Sequence, residues 1–596
     1  MQSLQLAAIG NCRTAALVDE NARLVWWCFP RFDGDPIFSR LLAGDEEKGF
    51  SDVVIDRLVK TQSEYVRNTA IVSTTLTAAD GARVKITDFA PRFENLGRML
   101  RPPQLVRIIE PQEGLPRITI RFRPTQNYGE PIGRRVPGSN HIRYGTPEPI
   151  IRLTTDAPLS FIEHETSFAL TRPVHLIYGP DEPLTGDPAR TAREFCERTR
   201  EYWQEWVRRL SIAYDWQEAM IRAAITLKLC NFEETGGVVA ALTSSIPEAP
   251  HSGRTWDYRF CWLRDAYFVV KALNRIGATR TMENFISFIL TIAADEHGAL
   301  KPVYGIVPNE PLKEWTAEKL AGFCGHGPVR FGNAAEGQAQ HDVYGSAILA
   351  ATPMFFDRRL PVPGDAALFR VLEHLATKCA EVALEPDAGI WEFRGRKRVH
   401  THSAAMCWSG VSRVAAIANR LGLAERAAHW SAEAERIARA ILERSWNEKR
   451  NLFAAAVDSD DVDASVLLLP ELGLIDAKDP RFVATVETIM RELVRGGHVM
   501  RYAAEDDFGL PETAFLVCRF WLIDALWHQG RLEEAREMFR DALNHRNHYG
   551  LLSEDVDPQT GALWGNFPQT YSMAGLILSA MRLSRSWEDR YWHASS

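Results

Sequence analysis

Two glutamates in this sequence are well placed to carry out acid–base chemistry: Glu392 in the segment GIWEF and Glu554 in the segment LLSED. Glu392 lies between Trp391 and Phe393, and an apolar setting would raise the pKa of its carboxyl and keep the proton on. Glu554 is followed by two aspartates within three residues, in a polar segment where a charged carboxylate is tolerated. Hydrolysis of a glycosidic bond requires one protonated acid and one ionised base. The residues alone leave open that each glutamate is a solvated surface charge.

Four segments are unusually rich in tryptophan, arginine and acidic residues together. An indole packs against the apolar face of a pyranose ring, while carboxylates and guanidinium groups hydrogen-bond to its hydroxyls. The composition therefore suits a sugar site, although tryptophans also occur at helix ends with no binding role. The segments are TWDYRFCWLRD (255–265), GFCGHGPVRFGN (322–333), GIWEFRGRKRVHTHS (389–403) and LLSEDVDPQTGALWGNFPQ (551–569).

Other chemistries lack a motif. His400 and His402 could share a metal only in an extended segment, and no nearby cysteine or HExxH pattern completes a site, so no metal and no cofactor are expected. There is no GxxxxGK[ST], no GxGxxG after a strand and no GxSxG. The net charge is 69 − 77 = −8 without a dense basic stretch, which argues against a nucleic-acid partner.

The cysteines and the apolar runs indicate the compartment. The sequence has nine cysteines, an odd number, and no CxxC motif. This pattern is typical of a cytosolic protein whose thiols are reduced. The N-terminus lacks a basic segment, and the longest apolar run, 285–294, is about half of a membrane span. We expect a cytoplasmic protein that contacts no membrane. The sequence leaves open whether it forms a homo-oligomer.

The elements that must position these residues change along the chain. Two strand-like runs flank Asp80-Gly81, a hairpin signal, and residues 117–123 alternate apolar and polar side chains, so an antiparallel β-sandwich is predicted for 1–180. A linker with a charged helix, 188–210, is predicted over 181–213. The remainder, 214–596, has a helical pattern with long loops, which favours a closed helical toroid. Its helical windows are 217–232, 261–276, 282–294, 366–383, 404–421, 424–446, 513–529 and 532–543.

Five long segments, in order, resemble glycoside hydrolase family 15, the glucoamylase and microbial trehalase-like group. The segment IGNCRTAALVDENARLVWWCFPRFD (9–33) is similar to the family's bacterial N-terminal domain. The other four are similar to its barrel motifs: SIPEAPHSGRTWDYRFCWLRDA, GPVRFGNAAEGQAQHDVYG, GIWEFRG with HTHSAAMCW, and LLSEDVDPQTGALWGNFPQTYS. The resemblance spans nearly the whole chain and implies a multidomain α and β protein, with an N-terminal β-sandwich followed by a catalytic (α/α)6 barrel.

The resemblance also implies roles for individual residues. Glu392 corresponds to the general acid and Glu554 to the general base of an inverting, exo-acting hydrolase that releases β-glucose, with about 6.5–9.5 Å between the carboxyls for the attacking water. The partner would be a small carbohydrate. The residues implied to bind it are Trp262, Arg264 and Asp265 of the WxRD segment, Arg501, Trp391 beside the acid, and Tyr304, Trp315 and Arg330 as further subsite residues.

The substrate and two other functions stay open. α,α-Trehalose competes with short malto- or isomalto-oligosaccharides, and Ala404 and Met573 depart from the family pattern on the expected leaving-group side. A glycoside phosphorylase of similar architecture would need a phosphate pocket in place of the base, and Glu554 argues against it. A catalytically silent glycan-binding protein has no reason to keep both carboxylates.

Overall fold

The computed structural model describes residues 3–44, 46–145, 150–295 and 299–588. Its N-terminal part is built from antiparallel strands, as predicted. The strands are Leu6–Gly10 (β1), Ala15–Asp19 (β2), Leu24–Phe29 (β3), Asp35–Phe38 (β4), Phe50–Ile55 (β5), Leu58–Tyr65 (β6), Val72–Ala78 (β7), Arg83–Phe89 (β8), Phe93–Asn95 (β9), Arg98–Leu100 (β10), Leu105–Glu113 (β11), Arg117–Arg123 (β12), Thr125–Gln126 (β13), Glu130–Pro131 (β14), Arg135–Pro137 (β15), His141–Tyr144 (β16), Ile151–Thr155 (β17), Phe168–Ala169 (β18) and Val174–Pro180 (β19).

Two sheets form this part. One has the order β1-β2-β3-β5-β12-β18 with β4 paired to β3, and the other has the order β15-β16-β17-β19-β11-β8-β7-β6. Strand β12 buries Ile118, Ile120 and Phe122 and turns its polar residues outward, as its alternation predicts. The hairpin β7–β8 turns at Gly81, whose φ of +87° favours glycine. Buried Arg107 of β11 donates to Asp88 and to the carbonyl of Ser51 in the other sheet.

Helices dominate the chain after β19, and short ones also occur among the strands. They are Leu159–Glu163 (α1), Pro188–Arg208 (α2), Gln217–Leu229 (α3), Leu263–Arg275 (α4), Thr279–Asp295 (α5), Asp342–Ala351 (α6), Pro353–Phe356 (α7), Ala366–Val382 (α8), Thr401–Arg420 (α9), Ala424–Arg444 (α10), Leu469–Leu472 (α11), Pro480–Leu493 (α12), Leu516–His528 (α13), Leu532–Asn544 (α14) and Thr570–Leu583 (α15), with 3-10 helices at Arg40–Leu42, Ala334–Gly337 and Ala464–Leu468. Among the described residues, no helix has the length and hydropathy needed to cross a membrane.

The helices alternate between an inner and an outer ring. The inner ring is α4, α6, α9, the 3-10 helix Ala464–Leu468, α13 and α15; each contacts the next, and α15 returns to α4. The outer helices α3, α5, α8, α10, α12 and α14 pack outside them. This is the predicted (α/α)6 barrel. Outer helix α14 buries one stripe, Ala535, Phe539 and Ala542, whereas inner helix α15 is buried on nearly every face.

The two parts meet through specific polar contacts. Helix α2 begins at its N-cap Asp187 and packs on β19, β11 and β9 of the sheet domain. The indole of Trp26 donates to the carbonyl of Leu242 over 2.8 Å. Buried Arg259, from the loop before α4, pairs with Asp257 and donates to the carbonyl of Gly34 over 2.7 Å. The sheet domain therefore supports the loop that leads into the first inner helix.

The loops that precede the inner helices meet at one end of the barrel. Several contain paired short strands, which fix the loop shapes: Cys261–Trp262 (β20), Val303–Tyr304 (β21), Trp315–Thr316 (β22), Arg330–Phe331 (β23), Trp446–Asn447 (β24), Leu452–Phe453 (β25), Val494–Arg495 (β26), His498–Val499 (β27), Ala514–Phe515 (β28), Asp555–Val556 (β29) and Leu563–Trp564 (β30). Because alternating helices run in opposite directions, all inner helices begin at this end, and so their preceding loops cluster there.

Candidate active site

A cavity opens at the end of the barrel where the inner helices begin. Both glutamates singled out in the sequence line it, although they are far apart along the chain. The lining residues are Glu248, Arg254, Trp256, Tyr258, Arg264, Asn333, Ala335, Gln338, Ile390, Trp391, Glu392, Phe393, Arg394, Arg501, Tyr502, Asp506, Asp507, Phe508, Phe515 and Glu554.

Glu392 is held in a tight turn before α9. Its backbone has a φ of +59°, unusual outside glycine, and its amide donates to the carbonyl of Gly389 over 3.1 Å. Its Oε1 accepts hydrogen bonds from the indole of Trp262, over 2.7 Å, and from the guanidinium of Arg264, over 3.3 Å. The side chain is 24% exposed. These contacts fix one carboxyl oxygen.

The expectation of an apolar setting for Glu392 is wrong. Trp391 and Phe393 line the cavity beside it, but the indole of Trp391 donates to Asp463 over 2.7 Å and the ring of Phe393 stacks on His400. The groups that hydrogen-bond to the carboxyl, from Trp262 and Arg264, are donors, one of them a cation. These donors come from another part of the chain, so the residues next to Glu392 in sequence do not reveal them.

Glu554 is the more buried of the two, at 1% exposure. Its Oε1 accepts a hydrogen bond from the phenol of Tyr258 over 2.5 Å, and its Oε2 accepts one from the backbone N–H of Asn566 over 3.3 Å. Gly565, with a φ of +72°, packs directly on it, and a Cβ there would lie 2.6 Å from the Cβ of Glu554. A side chain at position 565 would displace the carboxylate.

Burial raises the pKa of Glu554 well above its ordinary value, and the nearby carboxylates of Asp555 and Glu248 raise it further. The segment is polar, as predicted, but it does not readily tolerate the charge of Glu554, because the carboxyl is buried beside two other carboxylates. The segment is covered because β29 pairs with both β28 and β30, which places Asp555 opposite Phe515 and Trp564. This pairing joins residues distant in sequence, and the local sequence does not reveal it.

A buried ion pair supports the acidic end of the cavity. Arg501 pairs with Glu248, and the indole of Trp256 donates to the other oxygen of Glu248 over 3.0 Å. Arg501 is 6% exposed and Glu248 is 3% exposed. The pair therefore places one cation and one further anion beside the carboxyl of Glu554.

The structure brings some of the predicted binding residues to the cavity and keeps others away. Arg264, Trp391 and Arg501 line it. Trp262 reaches it through its hydrogen bond to Glu392, and Asp265 lies behind Arg264, 3.1 Å from the guanidinium Nε.

The three further subsite candidates do not line the cavity. The ring of Tyr304 is buried on β21, paired with β20. Trp315 is 43% exposed and packs edge-on against Tyr128 of the sheet domain. Arg330 donates to the carbonyl and hydroxyl of Thr255, beneath the rim. Direct contact with a sugar in this cavity is thus not supported for these three residues.

Sequence reasoning missed several lining residues. Tyr258 lies inside the segment TWDYRFCWLRD and could have been found there. Glu248 and Arg254 lie inside the motif segment SIPEAPHSGRTWDYRFCWLRDA and could have been found there as well. Phe508 lacks a comparable local signal, because only the fold brings it to the cavity. Two departures from the family pattern, Ala404 and Met573, are fully buried in α9 and α15 and are absent from the lining.

Solved structures support the fold. The chain is similar to a bacterial glucoamylase complexed with acarbose, with a TM-score of 0.69 at 13% identity, covering 98% of this chain and 94% of that one. At this identity the likeness concerns the fold alone, and it includes both the sheet domain and the barrel.

Sequence comparisons give the family. The chain is 31% identical to a trehalase of Thermoplasma volcanium, covering 97% of this chain and 93% of the relative, and 30% identical to a trehalase of Mycolicibacterium smegmatis, covering 98% and 91%. Residues 4–167 match the family model described as "Trehalase-like, N-terminal". Residues 215–581, which include Glu392 and Glu554, match "Glycosyl hydrolases family 15". The chain is a glycoside hydrolase and belongs to glycosyl hydrolase family 15.

Proposed function

We propose that this enzyme hydrolyses α,α-trehalose with inversion, using Glu392 as general acid and Glu554 as general base. The observation that carries the proposal is the shared cavity: two carboxyls from separate loops line one opening, and each is fixed by hydrogen bonds from other loops. The terminal glucose would lie deep, beside Arg264 and Arg501, whose guanidinium groups can donate to its hydroxyls.

In the reaction, the proton of Glu392 passes to the glycosidic oxygen as the bond from that oxygen to the anomeric carbon breaks. Since Oε1 of Glu392 already accepts two hydrogen bonds, its Oε2 is the oxygen that carries the proton. Glu554 takes a proton from a water molecule, whose oxygen bonds to the anomeric carbon from the opposite face. Both products are glucose, one from each half of the substrate.

The surroundings of Glu554 suit a base. Both of its oxygens accept hydrogen bonds, from Tyr258 and from the N–H of Asn566. An ionised carboxylate can only accept hydrogen bonds, so these two donors suit the charged form. Its raised pKa makes the ionised form a stronger base than an ordinary carboxylate. The ionised fraction is lost as the pH falls, so a raised pKa places the acid limb of the activity profile at a higher pH.

Trehalose is favoured among the small α-glucosides because the similar proteins named trehalase match this chain along almost its whole length, including the sheet domain.

The test combines a product analysis with two variants. Inversion on trehalose releases α- and β-glucose in equal amounts at first, because the leaving glucose keeps its configuration; retention releases only the α-anomer. Early NMR spectra distinguish the two outcomes. Glu392→Gln and Glu554→Gln should each lower kcat by about 10³-fold or more. Near-wild-type activity in either variant removes that residue from the mechanism. If the wild-type enzyme hydrolyses maltose but not trehalose, trehalose is not the substrate.

A further inference from the structure

Two histidine side chains that the proposed reaction does not use meet in the loops before α4 and α6. The Nδ1 atoms of His251 and His326 lie 3.2 Å apart, and their ring centroids lie 4.1 Å apart with the rings nearly perpendicular. His251 is exposed and His326 is half-buried, so solvent reaches the pair, and neither ring lines the catalytic cavity. The two residues are 75 positions apart, so sequence spacing gives no sign of their contact.

The loop that carries His251, residues 248–254, is closed at its base. The backbone N–H of Glu248 donates to the carbonyl of Arg254 over 3.1 Å, and the hydroxyl of Ser252 accepts a hydrogen bond from the N–H of Arg254 over 3.2 Å. His251 has a φ of +59°, a left-handed conformation inside this turn. Glu248 and Arg254 both line the catalytic cavity, so the two ends of the loop belong to the cavity wall.

The loop that carries His326, residues 322–327, is a tight turn anchored on the sheet domain. The N–H of His326 donates to the carbonyl of Phe323 over 2.9 Å, and the N–H of Gly325 donates to the carbonyl of Gly322 over 3.0 Å. The N–H of Gly322 donates to the carbonyl of Leu42 over 2.9 Å. Both imidazoles are therefore carried on turns of fixed shape, which lowers the entropy cost when one ligand joins them.

The distance between the two Nδ1 atoms matches that between two adjacent ligands of one metal ion. With metal–nitrogen bonds of about 2.0–2.1 Å, a separation of 3.2 Å corresponds to an N–metal–N angle of about 100–106°, between the octahedral and tetrahedral values. When both rings carry their proton on Nε2, two lone pairs face each other, and a cation between them is stabilised. Without a metal, the same distance allows one Nδ1–H to donate to the other Nδ1.

We propose that His251 and His326 bind one divalent transition-metal ion through their Nδ1 atoms. Imidazole nitrogens suit zinc, copper and nickel, whereas magnesium and calcium prefer oxygen ligands. Among the residues that the structure describes, no group of three or more histidine, cysteine, aspartate or glutamate side chains could hold a metal ion. The protein therefore supplies two ligands, and water completes the coordination shell.

The bound ion has a structural effect. It joins the loop 248–254 to the loop 322–327 and, through Leu42, to the sheet domain. Two protein ligands give moderate affinity, so occupancy follows the concentration of free metal. The inference goes beyond the proposed function and does not depend on the identity of the sugar substrate, because neither imidazole lines the catalytic cavity.

The experiment measures metal binding by the full-length enzyme without a polyhistidine tag. Titration calorimetry with ZnCl₂ should show one site with a Kd in the micromolar range, and MgCl₂ should show no binding at the same concentrations. His251→Ala and His326→Ala should each weaken zinc binding by at least about tenfold, because a single imidazole cannot chelate the ion. Saturating zinc should raise the Tm of the wild type by about 1–3 °C and that of neither variant, because the ion binds only the folded pair.

A matched control and a spectroscopic readout separate this site from incidental metal binding. His429→Ala removes an exposed histidine of α10, whose ring packs against Trp430, and it should leave zinc affinity unchanged. Far-UV circular dichroism of the metal-free variants should match that of the wild type, which shows that they are folded. Electron paramagnetic resonance with one equivalent of Cu²⁺ should show two coordinating ring nitrogens in the wild type and one in His251→Ala or His326→Ala.

Three outcomes overturn the inference. The first is no zinc binding by the wild type at concentrations up to about 1 mM. The second is unchanged affinity in both His251→Ala and His326→Ala. The third is a loss in only one of these two variants, which would mean that the other imidazole is not a ligand. A failure of the enzyme to hydrolyse trehalose changes none of these binding measurements.

Discussion

The phenol oxygen of Tyr258 lies 2.5 Å from Oε1 of Glu554, as a donor to a carboxylate that burial and two neighbouring carboxylates make hard to ionise. Tyr258 comes from the loop before α4 and Glu554 from the loop before α15, adjacent helices of the inner ring. The hydrogen bond stabilises the charged carboxylate and so opposes the effects that raise its pKa. The proposed base function of Glu554 therefore depends on a residue that precedes it by almost 300 positions.

Replacing Tyr258 by phenylalanine should move the acid limb of the kcat/KM profile to higher pH. Loss of the donor raises the pKa of Glu554 further, so the ionised base is lost at a higher pH on acidification. We expect a shift of about one pH unit and a fall in maximal kcat of about tenfold. The measurement is the pH dependence of trehalose hydrolysis. An unchanged acid limb would mean that another group controls it.

Asp555→Asn should have the opposite effect. Asp555 is fully buried beside Glu554; burial and Glu248 raise the pKa of its carboxyl, and its charge in turn raises the pKa of Glu554. With the amide in place, the repulsion disappears, the pKa of Glu554 falls, and the acid limb moves to lower pH. Because Tyr258→Phe and Asp555→Asn remove groups of opposite influence, their profiles should lie on opposite sides of the wild-type profile. Shifts in the same direction would contradict this assignment of causes.

The sequence predicted the shared location of Glu392 and Glu554 better than it predicted their surroundings. The four motif segments each lie in a loop that precedes an inner helix, so the (α/α)6 arrangement alone places Glu392 and Glu554 at one end. The groups around the two carboxyls were not predicted, since the donors to Glu392 come from Trp262 and Arg264 and the burial of Glu554 follows from the pairing of β29 with β28 and β30. These contacts join residues distant in sequence.

Helix prediction was accurate for most of the barrel. The eight predicted helical segments match the outer helices α3, α5, α8, α10 and α14 and the inner helices α4, α9 and α13 within three residues of each end. The inner helices α6 and α15 were missed; both are buried on nearly all faces and show little periodicity. Outer helix α12 was also missed, although its N-cap Asp479 and first-turn proline were available signals.

Glu554→Gln should remove a pH dependence of stability as well as activity. A carboxyl whose folded pKa lies above its unfolded value stabilises the fold fully below the unfolded pKa, and this contribution is lost as the pH rises through the folded pKa. Glutamine has no such loss. The Tm of the variant relative to wild type should therefore increase between pH 4.5 and pH 9, and calorimetry at both values measures it. A constant difference would mean that the folded pKa of Glu554 is not raised.

The opposite end of the barrel contains a buried charge network whose role we predict to be structural. Glu471 of α11 contacts Lys271 of α4, Arg582 of α15 and His528 of α13, the last over 3.1 Å, and its side chain is 10% exposed. Arg582 also pairs with Asp524. The network thus ties the C-terminal ends of three inner helices together, away from the catalytic cavity.

Glu471→Gln should destabilise the protein by about 3–5 kcal/mol, because it leaves buried cations without their shared partner. Glu487→Gln is the matched control: it breaks an exposed pair with Arg531, at 54% exposure of the glutamate, and should cost less than about 1 kcal/mol. Denaturant unfolding gives both values. Since neither glutamate lines the catalytic cavity, kcat/KM for trehalose should stay within about twofold of wild type in each folded variant. A large loss of kcat with little loss of stability in Glu471→Gln would instead show that this network acts on the catalytic end through the inner helices.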